Sequence, residues 1–247
     1  MAREIAFKVF RYKQGDAHPH YDTFKQSVNR WTTLLSALME IRRTQDSTLT
    51  LRHSCHHASC GTCGLKVNGQ EVLACVTNME ALGAADVVVE PLDNLPIISD
   101  LVVDMNSFYA TYTGAEMAYV RRSELIPTAA PPQALLQTGP LAYTRYENCL
   151  ECGLCVSACP VVGSDPLYLG PAAMAAAWRV VEEPRGGDPQ AALNWVDQEH
   201  GCWRCHVAYE CSEVCPSNVN PGESIMRLRR ALTRRKLRRL FRQGTPD

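Results

Sequence analysis

At 247 residues, 46% of them hydrophobic, the chain has room for one large domain or two small ones with proper cores. Its formal net charge of −1 is unevenly spread: residues 227–247 hold nine of the 25 basic residues and one of the 26 acidic ones, leaving 16 basic against 25 acidic, or −9, elsewhere. No apolar run nears the ~20 residues of a membrane span, since Leu169 to Trp178 is interrupted by Gly170 and Pro171, and Met1-Ala2-Arg3-Glu4-Ile5-Ala6-Phe7-Lys8 lacks the apolar stretch of a signal peptide. Twelve Cys is a high count, but they are bunched in three groups. That pattern argues for metal ligation in a reducing compartment and against a secreted disulfide framework.

Residues 3–12 alternate, with Ile5, Phe7 and Val9 on one side, as a half-buried strand does. Tyr21 to Val28 follows as a partner strand after a turn at Gly15 to Pro19, and from Thr33 the residues Leu34, Leu35, Leu38, Met39 and Ile41 recur at helical spacing. Two strands, a helix and then a Cys-bearing loop is the order of a β-grasp module. In that loop Cys55, Cys60 and Cys63 stand at C-x4-C-x2-C spacing and Cys75 completes a set of four, the plant-type 2Fe-2S pattern. Ala58, Ser59, Gly61, Thr62 and Gly64 are small enough to let the loop fold over the metal with N–H groups aimed at sulfur. Between Cys63 and Cys75 the run Leu65 to Leu73 reads as two short strands about an Asn68-Gly69 turn, which returns Cys75 to the others. Four thiolates also suit zinc, although zinc sites more often pair two C-x2-C knuckles. His53, His56 and His57 flank the ligands, but with four Cys present no Rieske-type His ligation is needed. Val87 to Glu90 reads as the last strand. A helix is then predicted from Asp100 through Leu101, Val103, Met105, Phe108 and Tyr112 as the passage between domains, and residues 126–140, rich in Pro, as a surface excursion.

The second half opens on Cys149, Cys152, Cys155 and Cys159-Pro160 at C-x2-C-x2-C-x3-C-P spacing, the bacterial ferredoxin run, in which the fourth Cys serves the other cluster of a pair. Helices are predicted at Pro171 to Val181, with an Ala-rich face (Ala172, Ala173, Ala175, Ala176, Ala177), and at Pro189 to Glu199, separated by Pro184-Arg185-Gly186-Gly187. The second Cys run then places Cys205, Cys211 and Cys215-Pro216 on the first, third and fourth positions of the earlier one, with Ala208 on the second. Crossing the fourth ligands assigns Cys149, Cys152, Cys155 and Cys215 to a 4Fe-4S cluster. Cys159, Cys205 and Cys211 remain for a cluster short of one thiolate, naturally 3Fe-4S. Cys202, one helical turn before Cys205, could in principle supply the missing ligand, but it lies on the wrong side of Cys205 for the repeat and is expected as a buried free thiol. The basic tail reads as an amphipathic helix with Leu228, Leu232, Leu237, Leu240 and Phe241 as its apolar side.

This constellation, Ser54-Cys55, Cys60-Gly61-Thr62-Cys63-Gly64 and Cys75, then Cys149 to Pro160, then Arg204-Cys205-His206 and Cys215-Pro216, resembles the iron–sulfur subunit of succinate dehydrogenase and fumarate reductase over nearly the whole chain. The resemblance implies an α+β protein: a β-grasp 2Fe-2S ferredoxin-like domain at 1–105, then an all-α bacterial-ferredoxin-like domain at 106–247 with a basic C-terminal helix. It implies 2Fe-2S, 4Fe-4S and 3Fe-4S clusters carrying single electrons from the flavin of an FAD-containing flavoprotein to a membrane quinone, menaquinone or ubiquinone. His206, and with it Pro160, falls in the quinone's vicinity. The partners implied are that flavoprotein and a membrane anchor, at the cytoplasmic face of the inner (plasma) membrane, with the basic tail on the membrane surface. No acid, base or nucleophile of its own is expected. Many relatives carry Trp shortly after the first Cys-Pro, where this chain has Val161-Val162-Gly163-Ser164, and Trp178 and Trp203 stand nearby in sequence. Succinate oxidation is the leading expectation and fumarate reduction the alternative, with another quinone-linked dehydrogenase less favoured because Ala208 breaks the second run. A zinc-rich nucleic-acid module with a basic tail is the reading from another class; no nucleic-acid partner is expected.

Overall fold

The computed structural model of the chain describes residues 3–83, 86–115, 142–183 and 188–243. The Pro-rich stretch 126–140, the Pro184–Gly187 break and the last residues of the tail lie outside these. The chain divides into two compact units, Met1–Ser107 with Leu150–Ala158, and Phe108–Cys149 with Cys159–Asp247.

In the first unit, strand β1 (Arg3–Arg11) pairs antiparallel with β2 (His20–Val28), Phe7 opposite Phe24. Ile5, Phe7 and Val9 are fully buried at alternate positions, as the period-2 pattern requires; each such burial contributes roughly 1.5–3 kcal/mol. Helix α1 (Leu34–Thr44) buries Leu34, Leu35, Leu38 and Ile41 on one stripe. Thr33 caps it, its hydroxyl accepting the Ser36 N–H while the Ser36 hydroxyl accepts the Thr33 N–H, a reciprocal cap whose loss costs about 1 kcal/mol. Strands β3 (Gly64–Val67) and β4 (Gln70–Leu73) form a hairpin about Asn68 and Gly69, both at positive φ (49° and 81°) as a two-residue turn of this kind demands. Strand β5 (Asp86–Glu90) runs parallel to β1 and antiparallel to β3, giving a mixed five-stranded sheet in the order β2-β1-β5-β3-β4.

The helix predicted from Asp100 begins six residues later. Leu101 and Val103 belong instead to a small hairpin of β6 (Ile97–Ser99) and β7 (Val102–Val103), and α2 spans Asn106–Thr113. Asp100 decides this. It sits at φ 45°, outside helical space, and its fully buried carboxylate accepts from Lys13 Nζ (2.6 Å), Arg11 Nε (3.3 Å) and the N–H groups of Thr50 (2.7 Å) and Tyr12 (3.0 Å). A buried carboxylate needs such partners, and they outweigh local helical preference. Arg11 is held in turn by Asp46 and Asp22.

The segment Leu150–Ala158, with the short helix α3 (Leu154–Ser157), belongs to this unit. Ser157 Oγ donates to Glu71 Oε1 (2.9 Å) and accepts the Asp93 N–H (2.8 Å), while Asn94 Nδ2 donates to the carbonyls of Val156 and Ser157.

The second unit is built around α5. After α4 (Pro160–Ser164), helix α5 (Pro171–Glu182) buries Ala172, Ala173, Ala175, Ala176 and Ala177, and this small-residue surface packs against α6 (Pro189–Val196) and the long α8 (Pro221–Gln243). Helix α6 stops three residues before the predicted Glu199. The Asp197 carboxylate leaves the helix to accept from Trp203 Nε1 (2.7 Å) and Lys236 Nζ (2.8 Å), and Gly201 folds so tightly on the helix end that a Cβ there would lie 2.1 Å from the Val196 carbonyl oxygen. Between α6 and α8 lies α7 (Glu210–Glu213). No helix among the described residues is long and apolar enough to cross a membrane.

Candidate metal-cluster sites

The loop before β3 turns on positive-φ residues, His56 (64°), Ala58 (56°) and Gly61 (67°), which aim N–H groups inward. The N–H groups of His57 and Ser59 donate to Cys55 Sγ (3.4 and 3.3 Å), that of Ala58 to Cys75 Sγ (3.3 Å), and Thr62 Oγ1 to Cys60 Sγ (2.7 Å). These bonds favour thiolate. The His57 and Ser59 N–H groups pull the Cys55 thiol down to about 6, whereas burial pushes that of Cys63 up to about 12. The β3–β4 hairpin returns Cys75, as the Asn-Gly spacing predicts, and the Ala74 N–H closes on the Cys63 carbonyl (3.1 Å). Donors converging on sulfur, with two thiols buried and Cys60 exposed, suit a cluster held under the loop with one flank open. An open groove of about 620 Å³ reaches Cys75, lined also by His56, Met39, Leu35, Arg43 and a Trp31 that is 75% exposed. His53 and His56 pair with each other (3.1 Å) and are not drawn into the thiol set.

Gly61 also explains where this loop leads. A Cβ on it would lie 2.4 Å from the Leu150 carbonyl oxygen and 2.9 Å from Cys152 Cβ, and one on Gly64 would lie 3.1 Å from the Cys152 carbonyl oxygen. Two glycines therefore let the Cys60–Cys63 turn lie directly on the segment carrying Cys152 and Cys155, all within the first unit.

The two later Cys runs repeat each other in backbone conformation at an offset of 56 positions (205 against 149). Glu151 and Val207 share positive φ (52° and 64°), as do Gly153 and Tyr209 (80° and 66°). Helices α3 and α7 occupy the same offsets, and the bonds Ala158 N–H to Leu154 O (2.9 Å) and Val214 N–H to Glu210 O (3.1 Å) correspond. Positive φ at a β-branched Val is strained; its N–H is held by Cys205 Sγ (3.3 Å). Ala208 falls where the first run has Cys152.

Within the second unit Cys159, Cys205 and Cys211 come together. All three line one shallow depression of about 20 Å³, with Pro160, Tyr168 and His206. Burial pushes the thiols of Cys159 and Cys211 up, the latter to about 12, and Cys159 and Cys205 push Cys211 further in the same direction. Cys149 and Cys215 pack against one aromatic cluster, Tyr143, Tyr146, Ala175 and Val219, and Cys215 Sγ accepts the Val219 N–H (3.3 Å). Cys202 is fully buried; burial raises its thiol to about 11, and its charged neighbours are Arg229, Asp197 and Lys236. It does not line the depression. Neither Trp178, half-buried against the aromatic cluster, nor Trp203, bonded to Asp197, lines it either. Among the described residues no three His, Cys, Asp or Glu side chains close around a point as one metal ion requires.

Sequence reasoning missed three residues that shape this half. Arg229, counted with the basic tail, donates to the carbonyls of Cys202 (2.8 Å), Trp203 (3.0 Å) and Cys205 (2.6 Å) and so fixes the second run. Asp165 accepts from Arg204 Nε (2.9 Å), next to Cys205, and bonds His200 Nδ1 (2.8 Å). Tyr168 stands among the three thiols. Only its isolation, a single Tyr just before Gly170-Pro171, could have marked it in the sequence. The tail itself divides: Leu228 and Leu232 are buried, Arg235 and Lys236 pair with Asp197, and among the described residues Leu237, Leu240 and Phe241 present apolar surface beside exposed Arg234, Arg238 and Arg239.

Residues 6–110 match the family model of the 2Fe-2S iron–sulfur cluster binding domain and residues 145–219 that of the 4Fe-4S dicluster domain. The molecule is thus an iron–sulfur electron carrier in which a 2Fe-2S module precedes a dicluster module. The chain is 32% identical over 243 residues to the fumarate reductase iron–sulfur subunit of Mycobacterium tuberculosis, covering 98% of each, and 33% identical over 224 residues to that of Escherichia coli O6:H1, covering 90% and 91%. It belongs to the iron–sulfur subunits of the succinate dehydrogenase and fumarate reductase family. Its fold matches a chain of the Mycobacterium smegmatis Sdh1 complex in the apo form with a TM-score of 0.81 at 21% identity, covering 96% of this chain and 98% of that one.

Proposed function

We propose that the chain is the electron-transfer subunit of a succinate dehydrogenase, taking single electrons from the flavin of a partner flavoprotein to a membrane quinone through 2Fe-2S, 4Fe-4S and 3Fe-4S clusters. Cys55, Cys60, Cys63 and Cys75 would hold the first, in a β-grasp frame that the β2-β1-β5-β3-β4 order with α1 supports. Cys149, Cys152, Cys155 and Cys215 would hold the second, and Cys159, Cys205 and Cys211 the third. The clusters supply the one-electron chemistry; the chain's own residues hold them, tune them and keep water away.

The observation that carries the three-iron assignment is Ala208 at the place of Cys152 in a run whose backbone otherwise repeats the first. Low-temperature EPR tests it: the oxidised protein should show a 3Fe-4S signal, and a further reduced cubane in its place would refute the assignment. The depression beside His206 and Pro160 is too small to enclose a quinone ring, so an anchor subunit would complete that pocket, with the His206 imidazole exposed to meet a quinone oxygen. The open groove beside Cys75 leaves the first site within reach of a flavoprotein. The exposed Leu237, Leu240 and Phe241 among Arg side chains suit a peripheral position on the cytoplasmic face of the membrane.

The names of the curated relatives favour fumarate reduction as the second reading. Assaying the assembled complex for both reactions, with quinones of high and low potential, separates the two: succinate oxidation should be the faster with the high-potential acceptor.

A further inference from the structure

Tyr168 is 4% exposed, and its hydroxyl is a buried oxygen that meets no partner at ordinary hydrogen-bond geometry, with the Cys205 side chain the group placed to receive its proton. A buried hydroxyl left this way is destabilising unless something satisfies it. Its surroundings show what that is. The groups acting electrostatically on the hydroxyl are Cys205, Cys159 and Cys211, the three thiols of the second-unit site, and Tyr168 lines the same depression as they do. Its backbone is pinned, since the Tyr168 N–H donates to the Asp165 carbonyl (3.1 Å) and the next N–H, of Leu169, to that of His200 (3.0 Å). The Asp165 carboxylate meanwhile holds Arg204 beside Cys205, so one residue ties the ring and the thiol loop to a common frame.

We propose that the Tyr168 hydroxyl donates a hydrogen bond to the sulfur face that Cys159, Cys205 and Cys211 surround, and thereby raises the reduction potential of the cluster held there. The inference rests on the three-iron reading of that site. Reduction adds negative charge to the sulfur face, and a donor aimed at it stabilises the reduced form more than the oxidised one. In the proposed wire this makes the last cluster a better acceptor and holds electrons beside the quinone end.

The test is an EPR-monitored redox titration of the cluster-loaded complex with Tyr168→Phe, which keeps the ring and removes only the donor. The oxidised three-iron signal should persist, and at a given applied potential the reduced-to-oxidised ratio of that cluster should fall about tenfold, about 59 mV for a one-electron couple, while the 2Fe-2S midpoint stays put. A persisting signal with an unchanged midpoint would overturn the proposal alone. Absence of a three-iron signal from the parent complex would overturn the reading of the site and the proposal with it. Should Tyr168→Phe lose the cluster, the parent decides: clusters assembled in D2O rather than H2O must lose, in the pulsed-EPR spectrum of the oxidised cluster, an exchangeable proton coupling beyond those of the backbone N–H groups on Cys205 and Cys159, and a spectrum accounted for by those N–H groups alone would refute the donor.

Discussion

Gly61→Ala offers a graded test of how the first thiol loop seats on the Cys152 segment. Gly61 has φ +67°, which costs an L-residue about 1–2 kcal/mol. The added Cβ would sit 2.4 Å from the Leu150 carbonyl oxygen and 2.9 Å from Cys152 Cβ, so two backbone segments must part by about 1 Å to reach ordinary contact, an overpacking cost of about 1–3 kcal/mol. The sum is about 2–5 kcal/mol, a large share of the ~5–15 kcal/mol that holds a typical domain together. Gly69→Ala is the control, because φ there is +81° but nothing lies within 4 Å; it should show the conformational cost alone. Urea unfolding of both variants, followed by far-UV circular dichroism and by the visible bands of the 2Fe-2S cluster, reads the difference. If Gly61→Ala is no more destabilised than Gly69→Ala, the seating of this loop on Leu150 and Cys152 is wrong.

Ala208→Cys should supply the fourth thiolate missing from the second run: EPR should lose the oxidised three-iron signal and gain a further reduced four-iron one. Asp100→Asn removes the charge that meets Arg11 and Lys13 in a fully buried place, and should destabilise the first unit by about 3–5 kcal/mol at pH 7 by urea unfolding. Lys13, the Thr50 and Tyr12 N–H groups and Arg11 outweigh burial and depress the Asp100 pKa, so its contribution is complete above the ordinary carboxylate range and lost as pH falls below about 4. The gap between parent and variant should therefore close on acidification, and a gap that widens would contradict the assignment. In iron-free protein the N–H groups of His57 and Ser59 make Cys55 a thiolate above about 6, so mass spectrometry after brief iodoacetamide treatment at pH 7 should find Cys55 alkylated ahead of Cys63.

Much of this chain could be read without coordinates because the signals concerned are local. Ligand spacing reflects the few residues needed to wrap a cluster, strand alternation reflects the two faces of a pleat, and Asn68-Gly69 reflects the φ signs of a tight turn, so β1, the hairpin and the registration of Ala208 on Cys152 all follow from neighbours in sequence. What the tertiary structure decided depends on groups far apart along the chain. Asp100 leaves helical space because Arg11, Lys13 and Thr50 reach its carboxylate, and α6 ends at Val196 because Asp197 turns to Trp203 and Lys236. Arg229 looks like one basic residue among several until its three carbonyl partners are seen. Tyr168, marked in the sequence by its isolation alone, gains its meaning only where folding buries its hydroxyl among Cys159, Cys205 and Cys211.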